Sequence, residues 1–260
     1  MEKEEKYTAR LQAGLGMIDE SLLLLDLWKP GMTAAELFRS ALASGLFPSV
    51  TARRLRNLVA ECFAPRFLED NGHNAELAVL ARPRLGRDAI SQLFLVFACR
   101  ANIILRDFLR TVYWGAYAAG RTTVTKGMAL SFVEDAVESG RTTTRWSESS
   151  RSRVAGYLTG ACADFGLLEQ SSRPERLIQP CRLDDAVAIL LAYDLHFSGM
   201  GDNAVAGHPD WGVFGFERQD VVSLLRRLAS RAGLIVQSAG EAVDISWGCN
   251  NMKEVSDVLT

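Results

Sequence analysis

Residues 142–153 read TTTRWSESSRSR, with three threonines, four serines and three arginines against the single acid Glu148. One serine is enough to cap a helix, so the other groups exceed what a helix start requires. Guanidinium and hydroxyl donors in this density suit phosphate oxygens, and Arg also pairs with guanine edges. The expected contact set is Thr143, Arg145, Ser149, Arg151, Ser152 and Arg153. A second set, Arg53, Arg54, Arg56 and Asn57, precedes the first acid, Glu61, and Asn beside Arg suits base reading. Arg173 and Arg176 flank a Pro in SSRPER and form a third, smaller group. Each set also admits a plain reading as a solvated helix start with redundant caps.

Other chemistry has no foothold. His73, His196 and His208 lie far apart, outside any metal-ligand spacing and away from a nucleophile motif. His73 reads as a loop residue and His196 as a helix-end residue. Asp184-Asp185 sits where acids cap helices. Gly199-Met200-Gly201 follows no strand and lacks a downstream Gly-Lys-Ser/Thr, so it reads as a flexible loop rather than a phosphate loop. Trp211 and Trp247 read as core or rim aromatics. The five cysteines, Cys62, Cys99, Cys162, Cys181 and Cys249, are widely spaced and mostly within apolar patterns, as buried thiols would be. The expectation is a non-enzyme with no cofactor, no metal and no small-molecule substrate.

The elements that must position these groups are mostly helical. Apolar spacing predicts a helix over 7–27 through Leu11, Leu15, Ile18, Leu22 and Leu25, ended by Lys29-Pro30-Gly31. Thr33 caps a second, with Leu37, Phe38, Ala41 and Leu42 on one face. Ser49 or Thr51 opens a third, with Ala52, Leu55, Val59 and Cys62 inward, which Pro65 ends or kinks. The polar stretch 69–76 loosens the chain, and Asp88 opens a long spine through about Ala119. A helix over KGMALSFVEDAV then leads to one from about Ser149 to Phe165. In that helix Val154, Leu158, Ala161 and Phe165 face the core, and the small residues Ser152, Gly156, Thr159 and Ala163 face outward. Leu167-Leu168-Glu169 and Leu177-Ile178-Gln179 read as a small β-hairpin. The same order recurs at the end: a helix from Asp184, a Gly-rich loop, a helix stopped at Gly233, and a hairpin whose Val243, Ile245 and Trp247 alternate.

The expected fold is therefore mainly α: an N-terminal helix-turn-helix bundle (1–87), a central long helix (88–120), a winged helix-turn-helix (121–182) and a C-terminal winged-helix-like domain (183–260). The net charge of −2 is unevenly spread, at +2 for 1–120, +2 for 121–182 and −6 for 183–260. Phosphate contact is expected from the first two thirds, and Arg218, Arg226, Arg227 and Arg231 are expected to contact protein. The longest apolar run, LFLVFAC, is far short of a bilayer span, and MEKEEKYTAR is expected to be neither a signal nor a transit peptide. A cytoplasmic protein with no membrane contact is the expectation.

Three stretches, YTARLQAGLGMIDESLLLLDLW, LFPSVTARRLRNLVAECFAPRFL and HPDWGVFGFERQDVVSLLRRLA followed by AGEAVDISW, together resemble the BrxA family, a small component of BREX phage-defence systems. The resemblance implies a non-enzymatic cytoplasmic protein that binds double-stranded DNA beside the other BREX proteins. Families of this kind have also been labelled membrane proteins or likened to NusB-type RNA-binding antiterminators. A protein–protein adaptor and a NusB-like RNA binder are accordingly the alternatives to a DNA-binding subunit.

Overall fold

A computed structural model describes residues 6–9 and 16–259 of the chain. Among them helices dominate, with two antiparallel two-stranded sheets, as the patterning predicts. The chain forms two compact units, one of Met1–Glu76 with Phe94–Cys181 and one of Leu77–Leu93 with Arg182–Thr260.

In the first unit the helix predicted over 7–27 is corrected at its start: Tyr7 lies in a β-bridge with Thr142 and Met17 is left-handed, so α1 covers only Ile18–Leu27, with Leu24 and Leu25 buried; Leu11 and Leu15 lie outside the described residues. Thr33 closes a capping box with Glu36 at the start of α2 (Ala34–Ser44). Leu37 and Ala41 of α2 are buried, whereas Leu42, expected inward, is 53% exposed. Thr51 caps α3 (Ala52–Asn57) by accepting from the Arg54 amide at 3.3 Å. The helix then continues as a π-helix over Leu58–Leu68 with Pro65 inside it, so of the two expected outcomes Pro65 does not end the helix but distorts it. A π-turn is wider than an α-turn, which gives the pyrrolidine ring room that an α-helix lacks. The segment buries Cys62, Phe63 and Phe67; Phe63 stacks on Phe67 at 4.5 Å, and Phe94 meets Phe67 edge-on at 4.9 Å.

The expected loose stretch 69–76 is instead a 3₁₀ turn (Asp70–Gly72) running into α4 (His73–Ala81), which places His73 in a helix rather than a loop. The expected spine is also broken: α5 (Arg87–Ala101) ends at Asn102, and α6 (Ile103–Phe108), a π-turn and α7 (Trp114–Ala118) continue at an angle of 113°. The Asn102 side-chain amide donates to the Ala98 carbonyl at 3.1 Å. That carbonyl is the one a continuous helix would give to the Asn102 backbone, so the side chain competes with the ladder at the break.

Beyond it come β1 (Thr123–Thr125), α8 (Lys126–Glu138), α9 (Glu148–Asp164) and β2 (Glu175–Leu177). The expected hairpin over 167–179 is reduced to a bridge between Leu168 and Ile178, and β2 pairs with β1, which precedes α8. Thr123, Val124 and Thr125 face Leu177, Arg176 and Glu175 in register.

The second unit is built on α10 (Asp185–Phe197), capped by Asp184 and buried from Ala186 to Leu195. The expected flexible Gly-rich loop holds the short helix α11 (Asp202–Ala206) and a 3₁₀ segment (Pro209–Phe214). α12 (Arg218–Ala232) ends at Gly233 in the left-handed region and leads to β3 (Leu234–Ala239), β4 (Ala242–Trp247) and α13 (Met252–Val258). The predicted second hairpin is present with Val243 and Ile245 inward. Buried Tyr193 joins the parts: its hydroxyl donates to the Ala232 carbonyl at 2.7 Å and accepts from the Gly248 and Cys249 amides. Among the described residues no single helix is long and apolar enough to cross a membrane.

Candidate nucleic-acid interface

The start of α9 concentrates the hydroxyls. Ser147 is the N-cap; its Oγ accepts from the Ser150 amide at 3.3 Å and lies 3.1 Å from both the Ser149 and Ser150 hydroxyls. Part of the apparent excess is thus a hydrogen-bonded knot around the cap, and the helix begins one residue before the predicted Ser149. Arg145, Ser149 and Arg153 are exposed, and Ser152 is half-exposed. Arg151 behaves differently: its guanidinium lies 3.7 Å from Glu134 on α8, and its Nε is buried without a partner among the described residues. It ties α8 to α9.

The small-residue face is corrected by the structure. Ser152 and Gly156 reach the surface, but Thr159 and Ala163 are 5% and 4% exposed. Near its end α9 meets Gly16, whose amide donates to the Asp164 carboxylate at 2.8 Å. A β-carbon on Gly16 would sit 2.6 Å from that of Asp164. The surface that α9 offers is its first two turns.

The loop before α9 is held from a distance in sequence. The Tyr7 amide donates to the Arg141 carbonyl at 2.8 Å and the Thr143 amide to the Tyr7 carbonyl at 3.0 Å. Tyr7 Oη donates to Asp107 at 2.6 Å, and Arg141 donates both to that hydroxyl and, at 2.9 Å, to Asp107. The Arg141 guanidinium also lies over the Tyr7 ring at 4.6 Å. Burial, then the bond to Asp107, pushes the Tyr7 hydroxyl well above its ordinary value, keeping it protonated as a donor. Thr142 and Trp146 are buried on either side, leaving Thr143, Thr144, Arg145 and Ser147 to face solvent. Nothing in the spacing of residues 7, 107 and 141 signals this clamp.

Of the remaining predicted groups, Arg173 is exposed at the turn before β2, its amide bonded to Ser171 Oγ at 3.1 Å, and Arg176 is half-exposed within β2 opposite Val124. Arg53, Arg54, Arg56 and Asn57 are all exposed on α3, and Arg56 lies over the Phe38 ring at 5.3 Å. The structure therefore gathers every predicted contact residue into the first unit. That unit carries 20 Lys and Arg against 19 Asp and Glu, whereas the second carries nine against twelve.

An open cleft of about 820 Å³ between α7 and α8 has Thr111, Arg121, Ser131, Asp135, Ser139 and Arg141 on its lining. Among the described residues no group of three or more His, Cys, Asp or Glu could hold a metal ion. Cys62, Cys99, Cys162 and Cys249 are buried, and burial raises Cys181 to about 11.

Comparison with known proteins agrees with the architecture. A crystal structure of an uncharacterized protein from Magnetospirillum magneticum is similar to 75% of this chain and 94% of its own, with a TM-score of 0.57 and 16% identity. At that identity the likeness concerns the fold. No curated protein matches. Residues 5–194 match one protein family, BrxA.

Proposed function

Since this chain belongs to the BrxA family and is thereby a BREX-associated protein, we propose that it is a non-enzymatic subunit that binds double-stranded DNA, mainly through phosphates. The order α6–α7, β1, α8, α9, the Leu168 bridge and β2 is the order of a winged helix-turn-helix, with α9 as the recognition helix. The observation that carries the reading is the exposed start of α9: Arg145, the Ser147–Ser150 hydroxyls and Arg153 at the positive end of a 17-residue helix. Arg173 at the wing and the α3 arginines extend the same chemistry. Arg151 is assigned to the α8–α9 tie rather than to DNA.

The test is fluorescence anisotropy of a short labelled duplex with the Arg145→Glu/Arg153→Glu double variant. Two lost phosphate contacts should lower the slope of log K against log salt by about 2 and the affinity by at least about tenfold. Lys253→Glu in the second unit, also a charge reversal, should leave both nearly unchanged. Unaltered affinity and slope in the folded double variant would remove the assignment. The adaptor reading is favoured by the shortness of the exposed α9 surface, and predicts no salt-dependent binding of duplex by the purified chain. Tighter binding of RNA than of duplex in the same titration would instead select the RNA reading.

A further inference from the structure

The two edges of the β3–β4 sheet are finished differently. Along β4 the Val243 amide donates to Asn203 Oδ1 at 2.9 Å and the Ile245 amide to Asp202 Oδ2 at 2.8 Å, while the Trp247 indole donates to Asp202 Oδ1 at 3.0 Å. Two neighbouring side chains at the start of α11 thus occupy the outward amides of that edge. In an antiparallel pair, residues facing each other both point outward or both point inward. Val243 and Ile245 stand opposite Ser238 and Val236, so these two present their backbone groups at the free edge of β3.

The strand itself carries none of the usual protection. β3 reads LIVQSA, with no charge and no proline, although natural edge strands are commonly blunted by one or the other. Ile235, on the outer face, is 62% exposed, more than any other large apolar side chain described. Neither the core nor the DNA reading uses it.

We propose that the free edge of β3 receives an extended segment of a partner protein as a third strand, with an aliphatic side chain beside Ile235 and a Lys or Arg near the hairpin tip. The charge argues for this occupant. Asp244 lies on the outer face opposite Gln237 and Glu241 sits in the turn, whereas Arg226 of α12 donates to Ser238 Oγ at 2.5 Å on the inner face, so the acidic groups lie on the outer side of the edge. The whole unit carries nine basic against twelve acidic residues. A second copy would bring two net negative units together. Main-chain bonds supply the affinity of such strand addition, and alternate side chains the selectivity.

The experiment is amide hydrogen exchange on the full chain, alone and with each of the other proteins of its BREX system added singly. One of them should slow exchange at Val236 and Ser238 by about tenfold while leaving the already capped Val243 and Ile245 amides unchanged. Ile235→Lys, an exposed substitution, should abolish that protection without lowering the melting temperature. Should Ile235→Lys prove unstable, Gln237→Lys serves instead, since it sets a like charge against the basic occupant. The proposal is overturned if no component protects β3, or if protection survives both lysine variants. It is equally overturned if the chain alone protects β3 in a concentration-dependent way, which would mean pairing of copies, or if duplex DNA alone produces the effect.

Discussion

Replacing Tyr7 by Phe removes a single oxygen from the clamp that holds the loop before α9. The ring keeps its volume, so the substitution leaves no cavity at a site that is 1% exposed. What is lost is the hydrogen bond to Asp107 at 2.6 Å and the one accepted from Arg141. A bond to a charged group contributes about 1.5–3 kcal/mol. The Asp107 carboxylate retains Arg141 at 2.9 Å and Arg106 at 3.3 Å, so it is not left as an uncompensated charge, and the loss falls near the lower end, about 2 kcal/mol. At this chain length that lowers the melting temperature by about 4–8 °C, measurable by calorimetry or circular dichroism. The backbone bonds of Tyr7 to Arg141 and Thr143 remain, so the loop should loosen rather than detach. Duplex affinity should then fall by less than about threefold with the salt slope unchanged, because no phosphate contact is removed. There is also a pH signature. The folded hydroxyl titrates above its ordinary value of 10.0, so its contribution is complete below that value and is lost as pH rises through the folded pKa. The difference between the parent protein and the Tyr7→Phe variant should therefore shrink in strong alkali. A melting temperature within about one degree of the parent at neutral pH would show that the hydroxyl contributes nothing beyond what water offers, and the clamp would have to be reassigned to backbone pairing alone.

Glu134→Gln should release Arg151 from its 3.7 Å ion pair and remove a negative charge beside α9. Duplex affinity should then rise several-fold, while stability changes by no more than about 1 kcal/mol because the pair is partly exposed; a fall in affinity would show that the tie itself is needed to present α9. In the second unit Asp185 accepts from Arg227 at 2.7 and 3.0 Å, which holds its carboxyl below the ordinary 3.8. The stabilisation from this pair is present above that value and disappears as pH falls through the lower folded one. Urea unfolding should accordingly show Asp185→Asn less stable by about 1 kcal/mol at neutral pH, and the gap should close as pH falls below the ordinary carboxylate range.

How much of this could be read from the chain depends on how local the cause is. Thr33 with Glu36, Thr51, Asp184 and Gly233 act within one turn of the backbone they cap, and each was legible from its neighbours. The inward faces of α9 and the alternation of β4 were legible for the same reason, because period alone selects the buried side. The failures share an opposite origin. Asn102 breaks a run of Leu, Phe and Ile whose periodicity shows no interruption, since one side-chain amide competing for one carbonyl leaves no trace in hydrophobic spacing. Pro65 is tolerated because the turn around it widens, and nothing local announces that. Thr159 and Ala163 are small enough to face solvent or to be covered closely, and residue size alone does not tell which; both are buried. Arg151 was indistinguishable by type from Arg153 until Glu134 came into reach. Residue type therefore identifies where cations and hydroxyls accumulate, but long-range partners decide which of them remain free to meet another molecule. By that standard Arg145 and Arg153 carry more weight than any count of arginines, because among the described residues no acid claims either one.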